Sequence, residues 1–232
     1  MPSSPTPKPP RDARLCRGGW FRDRQPLGFP PSTTARPAGQ QLFRVGIVGR
    51  LDRWKGQHIF LDAFAKAFPS GPEEAVIVGA SLFGQNGYDS ELRRQATSLA
   101  IEDRVEFRGF RDDVEDELRQ FDVLVPASVI PEPFGQVVVE GLAVGLPVVA
   151  ADAGGPAEVI TDGVDGLLYP PGDADALARA LRRLASEPAL RAILGDAARE
   201  RAEDFTAERI APQVMAVYRE VVRRPPGTDP AP

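Results

Sequence analysis

Short apolar runs alternate with helical patterns through most of this chain, and that alternation restricts it to a few architectures. Phe43–Val48, Ala75–Val78, Arg104–Phe107, Asp122–Val125, Pro147–Ala151 and Gly166–Tyr169 read as strands. Gln57–Phe68, Asp89–Ala100, Val114–Gln120, Gln136–Val144 and Pro156–Ile160 read as helices between them. Three longer helices follow up to Val222: Asp173 caps the first, Pro188 separates it from the second, and Thr206 caps the third. Strands joined by helical crossovers run parallel, and parallel sheets are covered on both faces. The expected fold is a single doubly wound α/β domain, with ligands above the carboxyl ends of its strands.

Composition sets the bounds of that domain. Residues 1–41 are rich in Pro, Arg, Ser and Gly without a sustained period, and residues 223–232 form a second Pro-rich stretch. Neither buries enough apolar surface to offset the entropy of ordering, so both are expected to be disordered tails around a folded unit at 42–222. A net charge of −5 argues against general nucleic-acid binding. No run approaches the roughly 18 apolar residues of a membrane span, and no apolar signal core opens the chain. Peripheral membrane contact stays open. Cys16 is the only cysteine and His58 the only histidine, which removes internal disulfides, thiolate clusters, His-rich metal sites and most His-based triads. A reducing cytoplasm fits best. His58 is expected to be an ordinary surface histidine.

Two loops carry the chemistry. The first is Gly49-Arg50-Leu51-Asp52-Arg53-Trp54-Lys55-Gly56, directly after the first strand. Gly49 allows close backbone approach, Arg50 and Lys55 offer two cations to one anionic group, and the following helix adds its positive dipole end. The loop lacks the G-x-G-x-x-G of a dinucleotide fold and the Gly-Lys-Ser/Thr of a Walker loop. The second is Glu132-Pro133-Phe134-Gly135-Gln136, leaving the fourth strand, with Glu140 eight positions after Glu132. Glu132 can accept hydroxyl hydrogen bonds, and the free N–H groups of the helix starting after Gly135 can take an anion. Hydroxyls at one end, phosphates in the middle and a ribose at the other describe a nucleotide sugar. Phe134 is expected to anchor the loop by packing. Asp52, Arg53 and Trp54 receive no role.

Taken together, Gly49-Arg50-Leu51 with Lys55-Gly56 and Glu132-Pro133-Phe134-Gly135 with Glu140 resemble the donor-binding half of retaining GT-B glycosyltransferases, the large group 1 or GT4 type. That family carries a G-R-x-x-x-x-K-G loop and an E-x7-E motif. The likeness continues through Pro147-Val148-Val149-Ala150, Gly154-Gly155-Pro156-Ala157-Glu158 and Gly163-Val164-Asp165-Gly166-Leu167-Leu168, and covers about residues 42–222. It implies a Rossmann-like C-terminal half of a GT-B fold with extra C-terminal helices. It also implies that a hexosyl-type sugar passes from a nucleotide-diphosphate sugar, with retention, to an acceptor that stays unidentified.

By that resemblance Arg50 and Lys55 hold the donor diphosphate, Glu132 the sugar hydroxyls and Glu140 the ribose. Gly49 and the backbone N–H groups of Phe134, Gly135 and Gln136 complete the donor site. Arg50, Lys55 and Glu132 are the expected catalytic residues. Neither a metal nor a cofactor is expected. Val78-Gly79 and Gly109-Phe110 are placed at the base pocket through backbone atoms, an assignment left open.

The family's acceptor-binding domain would precede Phe43. The sequence there suggests a truncated or misassigned start, a separate partner chain carrying that domain, or a binding remnant. A non-catalytic nucleotide-sugar binding module is therefore the alternative function. A sugar-nucleotide epimerase ranks below it, and a phosphorylase is disfavoured because none of Lys8, Lys55 and Lys66 suits pyridoxal phosphate.

Overall fold

The computed structural model describes residues 42–81 and 86–223. The tail expected at 1–41 and most of that at 223–232 lie outside these residues. The strands are β1 (Arg44–Val48), β2 (Glu74–Val78), β3 (Val105–Gly109), β4 (Val123–Leu124), β5 (Val149–Ala151) and β6 (Leu167–Tyr169). The helices are α1 (Gln57–Ala67), α2 (Asn86–Ser98), α3 (Val114–Leu118), α4 (Gln136–Ala143), α5 (Gly155–Val159), α6 (Ala174–Ser186), α7 (Pro188–Ala202) and α8 (Ala207–Arg223). Helix α2 opens three residues before the Asp89 expected from sequence. Helix α8 reaches one residue into the segment expected to be a tail.

Four parallel strands lie in the order β3-β2-β1-β4, and β5 pairs with β6, also parallel. A parallel bridge between Leu124 and Val148 and a bond from Leu124 N to the Pro147 carbonyl at 3.0 Å join the two parts. The running order is thus 3-2-1-4-5-6. Strand order reverses between β1 and β4, and a doubly wound sheet opens its ligand crevice at such a reversal.

Successive residues of each strand feed opposite faces. Ile47, Ala75, Ile77, Val149 and Ala151 pack with Phe60, Leu61 and Phe64 of α1 and Leu177, Leu181 and Leu184 of α6. Val76, Val78, Leu124, Val148 and Ala150 pack with Val138 and Leu142 of α4 and Ala198 of α7. This two-sided burial explains why β2, β4 and β5 read as near-continuous apolar runs, whereas β3 at the sheet edge has no buried residue.

Helix starts largely follow local chemistry. Asp173 accepts from Ala176 N at 2.8 Å, capping α6, and Pro188 opens α7. Thr206 departs from expectation: its carbonyl accepts from Ile210 N at 2.9 Å, while its hydroxyl turns back to the Glu203 carbonyl at 3.1 Å.

His58 is likewise not a free surface residue. Its Nδ1 lies 3.0 Å from the Tyr88 hydroxyl, which joins α1 to α2. Burial holds the imidazole below its ordinary pKa; Asp62 opposes this and Arg53 reinforces it. Burial also pushes the Tyr88 hydroxyl up to about 12. The neutral imidazole is the folded form at pH 7. As pH falls from about 6.5 toward the lower folded value, the unfolded chain takes up the proton first, so this pair's contribution is lost across that window. With one histidine in the chain, NMR titration should give a single imidazole midpoint below 6.5. A midpoint at or above 6.5 would contradict the buried setting.

Candidate functional site

The loop after β1 is built around its own side chains. Asp52 caps a short 3-10 turn at Arg53–Lys55, accepting from Trp54 N at 3.5 Å. Gly56 closes that turn at φ +73° and starts α1. A left-handed residue here lets the chain reverse directly into the helix. Gln57, 1% exposed, donates from Nε2 to the Arg50 carbonyl at 2.8 Å and holds the loop down on α1. The Arg50 guanidinium pairs with Asp52 at 3.3 Å. One indole serves both cations: Lys55 Nζ lies 4.2 Å and Arg50 Cζ 5.9 Å from the Trp54 ring centre. Gly49 crowds nothing, since a Cβ there would meet only the Lys55 stem at 3.8 Å.

The loop after β4 closes on this one across the strand-order reversal. Val129 N donates to the Trp54 carbonyl at 2.8 Å. Lys55 Nζ donates to Glu132 Oε1 at 2.7 Å, linking residues 77 positions apart. Both are largely withdrawn from water, with side-chain exposures of 20% and 8%. The pair is therefore less screened than a surface ion pair. The buried Ser128 hydroxyl donates to the same Oε1. A third loop, after β5, fixes the backbone beneath Glu132: Glu132 bridges Gly154, and Gly155 N donates to the Glu132 carbonyl at 2.7 Å. A Cβ at Gly155 would lie 2.1 Å from the Phe134 carbonyl, so only glycine lets the two loops touch.

Gly135, at φ +82°, turns the chain into α4. Gln136 Nε2 donates to Glu140 Oε1 at 2.9 Å, so these residues share one face of the first turns. A helix start leaves its first N–H groups without an intrahelical acceptor; here Val138 N already donates to the Gly135 carbonyl at 2.9 Å, which leaves those of Gln136 and Val137. Phe134 is 50% exposed and sets one edge against Phe205, with centroids 6.1 Å apart. It is only partly the packing anchor expected, because half of its surface stays exposed.

The structure thus brings Arg50, Lys55 and Glu132 together through Trp54 and the Lys55–Glu132 pair, with Gly135, Gln136 and Glu140 continuing along the same chain into α4. Opposed cations and a carboxylate at a parallel-sheet crevice can take a ligand bearing both phosphate and hydroxyl groups. Three contributors escape sequence reasoning. Ser128 and Gln57 carry no motif signal. Trp54 sits between expected site residues, yet its spacing does not reveal which cations its ring covers. Among the described residues, no cluster of three or more His, Cys, Asp or Glu side chains is arranged to hold a metal, and no helix is long and apolar enough to cross a membrane.

Comparison with known proteins agrees with this architecture. The family model described as glycosyl transferases group 1 matches residues 36–201. The lipopolysaccharide core biosynthesis mannosyltransferase LpsB of Rhizobium meliloti is 30% identical over 183 residues, covering 77% of this chain and 52% of that protein. An exopolysaccharide phosphotransferase of Streptomyces coelicolor is 36% identical over 165 residues, 71% of this chain but 17% of its own length. Among solved structures, Anabaena HepE in complex with UDP superposes with a TM-score of 0.74 at 38% identity, covering 78% of this chain and 49% of that one. HepE with UDP-glucose gives 0.73 at 38% identity, over 77% and 49%. The chain spans about half the length, or less, of each of these relatives.

Proposed function

Since the chain belongs to the glycosyl transferases group 1 family, we propose that it forms the donor side of a glycosyltransferase, binding a nucleoside-diphosphate sugar for transfer to an acceptor. One observation carries this reading: Lys55 on the β1 loop meets Glu132 on the β4 loop at 2.7 Å, above the strand-order reversal. The HepE structure with UDP-glucose supports the ligand class. Arg50 and Lys55 bind the diphosphate and stabilise the negative charge that grows as it leaves, the step where preorganised donors contribute most. Glu132 accepts from hydroxyls of a hexosyl-type sugar, Glu140 from the ribose, and the backbone at Gly49 and Phe134 to Gln136 completes the phosphate cradle. Transfer proceeds with retention, and the reaction is cytoplasmic, in keeping with the lone Cys16. Because two side-chain cations neutralise the leaving group, no divalent metal and no cofactor is required.

Calorimetry with UDP, GDP and ADP and their glucose or mannose conjugates tests the donor site. One nucleotide series is expected to bind at micromolar to millimolar strength, unchanged by EDTA. A folded protein that binds none of the panel would end this reading, and binding abolished by EDTA would end the metal-free part of it.

A second reading is that this donor-side domain binds a nucleotide sugar without transferring it. Adding an acceptor-binding polypeptide would permit transfer under the first reading and leave mere binding under the second. Incubating the chain with radiolabelled UDP-glucose and the products of neighbouring genes separates them.

A further inference from the structure

We infer that Ser128 is a positioning residue that sets which oxygen of Glu132 faces a ligand; the consequence for nucleotide sugars rests on the donor reading above. Glu132 Oε1 receives two donors, Lys55 Nζ at 2.7 Å and the Ser128 hydroxyl. Its other oxygen, Oε2, accepts no hydrogen bond from the described residues, yet is not among the buried side-chain atoms left without a partner. It therefore retains a small solvent-exposed surface, in keeping with the 8% side-chain exposure of Glu132. A carboxylate held on one oxygen alone by a flexible lysine can turn about its last torsion and exchange its oxygens. A second, charge-assisted bond from a hydroxyl that is itself buried removes that freedom. The serine, four residues upstream in the same loop, fixes the division of labour: Oε1 anchors Lys55, and Oε2 is presented to hydroxyl donors.

The arrangement assigns Ser128 to the sugar end of a donor rather than its phosphate end. Two consequences can be read independently. In S128A, affinity for UDP-glucose should fall about tenfold while that for UDP, which lacks the sugar, changes by less than about twofold, the scale of one charge-assisted hydrogen bond. S128T, which keeps the hydroxyl, should recover most of the loss. An equal fall for both ligands, or no fall, would overturn the assignment.

The second reading needs no ligand. The chain has three lysines, so isotope labelling at lysine Cε gives three NMR signals, and K55R identifies that of Lys55. Its position over the Trp54 ring should set it apart from Lys8 and Lys66. In S128A that signal should shift toward the other two, part of the way to its place in E132Q. A Lys55 signal unmoved by S128A would overturn the inference even where binding changes. If the wild-type chain binds neither UDP nor UDP-glucose, the donor reading fails, and the lysine signal alone decides whether Ser128 fixes the pair.

Discussion

Replacing Lys55 with alanine is expected to lower affinity for UDP-glucose about a hundredfold and to destabilise the fold by about 2–3 kcal/mol. Two separate losses are involved. The diphosphate loses the charged donor aimed at it, and a hydrogen bond to a charged group typically contributes about 1.5–3 kcal/mol. The Glu132 carboxylate, 7% exposed, is left with only neutral partners. Breaking a buried pair from one side costs about 3–5 kcal/mol; the lower figure here reflects the 20% exposure that Lys55 retains. Arginine would not be an innocent replacement, since its planar fork cannot sit as a compact ammonium between the Trp54 ring and Oε1. E132Q keeps the shape of the loop but removes the charge, so it should be the milder change in stability while still weakening sugar binding. Calorimetry and denaturant midpoints on K55A and E132Q read both quantities. An affinity for K55A within threefold of wild type would remove Lys55 from the site.

Gly56→Ala should be among the most damaging single substitutions for the fold around the site. A Cβ at Gly56 would lie 1.9 Å from the Ala127 carbonyl oxygen and 2.7 Å from its carbon, backbone atoms that no rotamer can move aside. The residue also sits at φ +73°, where a side chain costs about 1–2 kcal/mol by itself. Gly163 supplies the control, with φ +75° and nothing within 4 Å of its would-be Cβ. G163A should therefore lose only about 1–2 kcal/mol. G56A should lose that plus a further ~1–3 kcal/mol of overpacking, and with it the approach of Lys55 to Glu132. Equal unfolding midpoints for the two variants would mean that the β1 and β4 loops do not touch at Gly56.

Much of this molecule is written locally. The expected strand segments overlap all six strands; apart from β3, an edge strand with no buried residue, they are apolar runs whose composition responds to burial of each short segment. Asp173 and Pro188 mark helix starts because a cap acts on backbone groups within four residues of itself. Thr206 and His58 read less well. A threonine before a helix has two acceptable partners, and only the turn at Glu203 decides between them. His58 looks exposed in a polar helix start until Tyr88, 30 residues later, comes to lie against it.

The site divides along the same line. Two cations after one apolar strand, and two carboxylates flanking a glycine turn after another, are present in the sequence as residue types and spacings. Their role in phosphate and sugar recognition is legible because the chemistry demands those groups and the strand-loop-helix context presents them. That Lys55 meets Glu132, that Ser128 fixes the same oxygen, and that Gly56 and Gly155 let three loops touch depend on the order 3-2-1-4-5-6, which places β4 beside β1. Hydrophobic period tells a strand which face to bury but not which neighbour to take. Contacts between residues 77 positions apart exist only once the whole sheet has assembled.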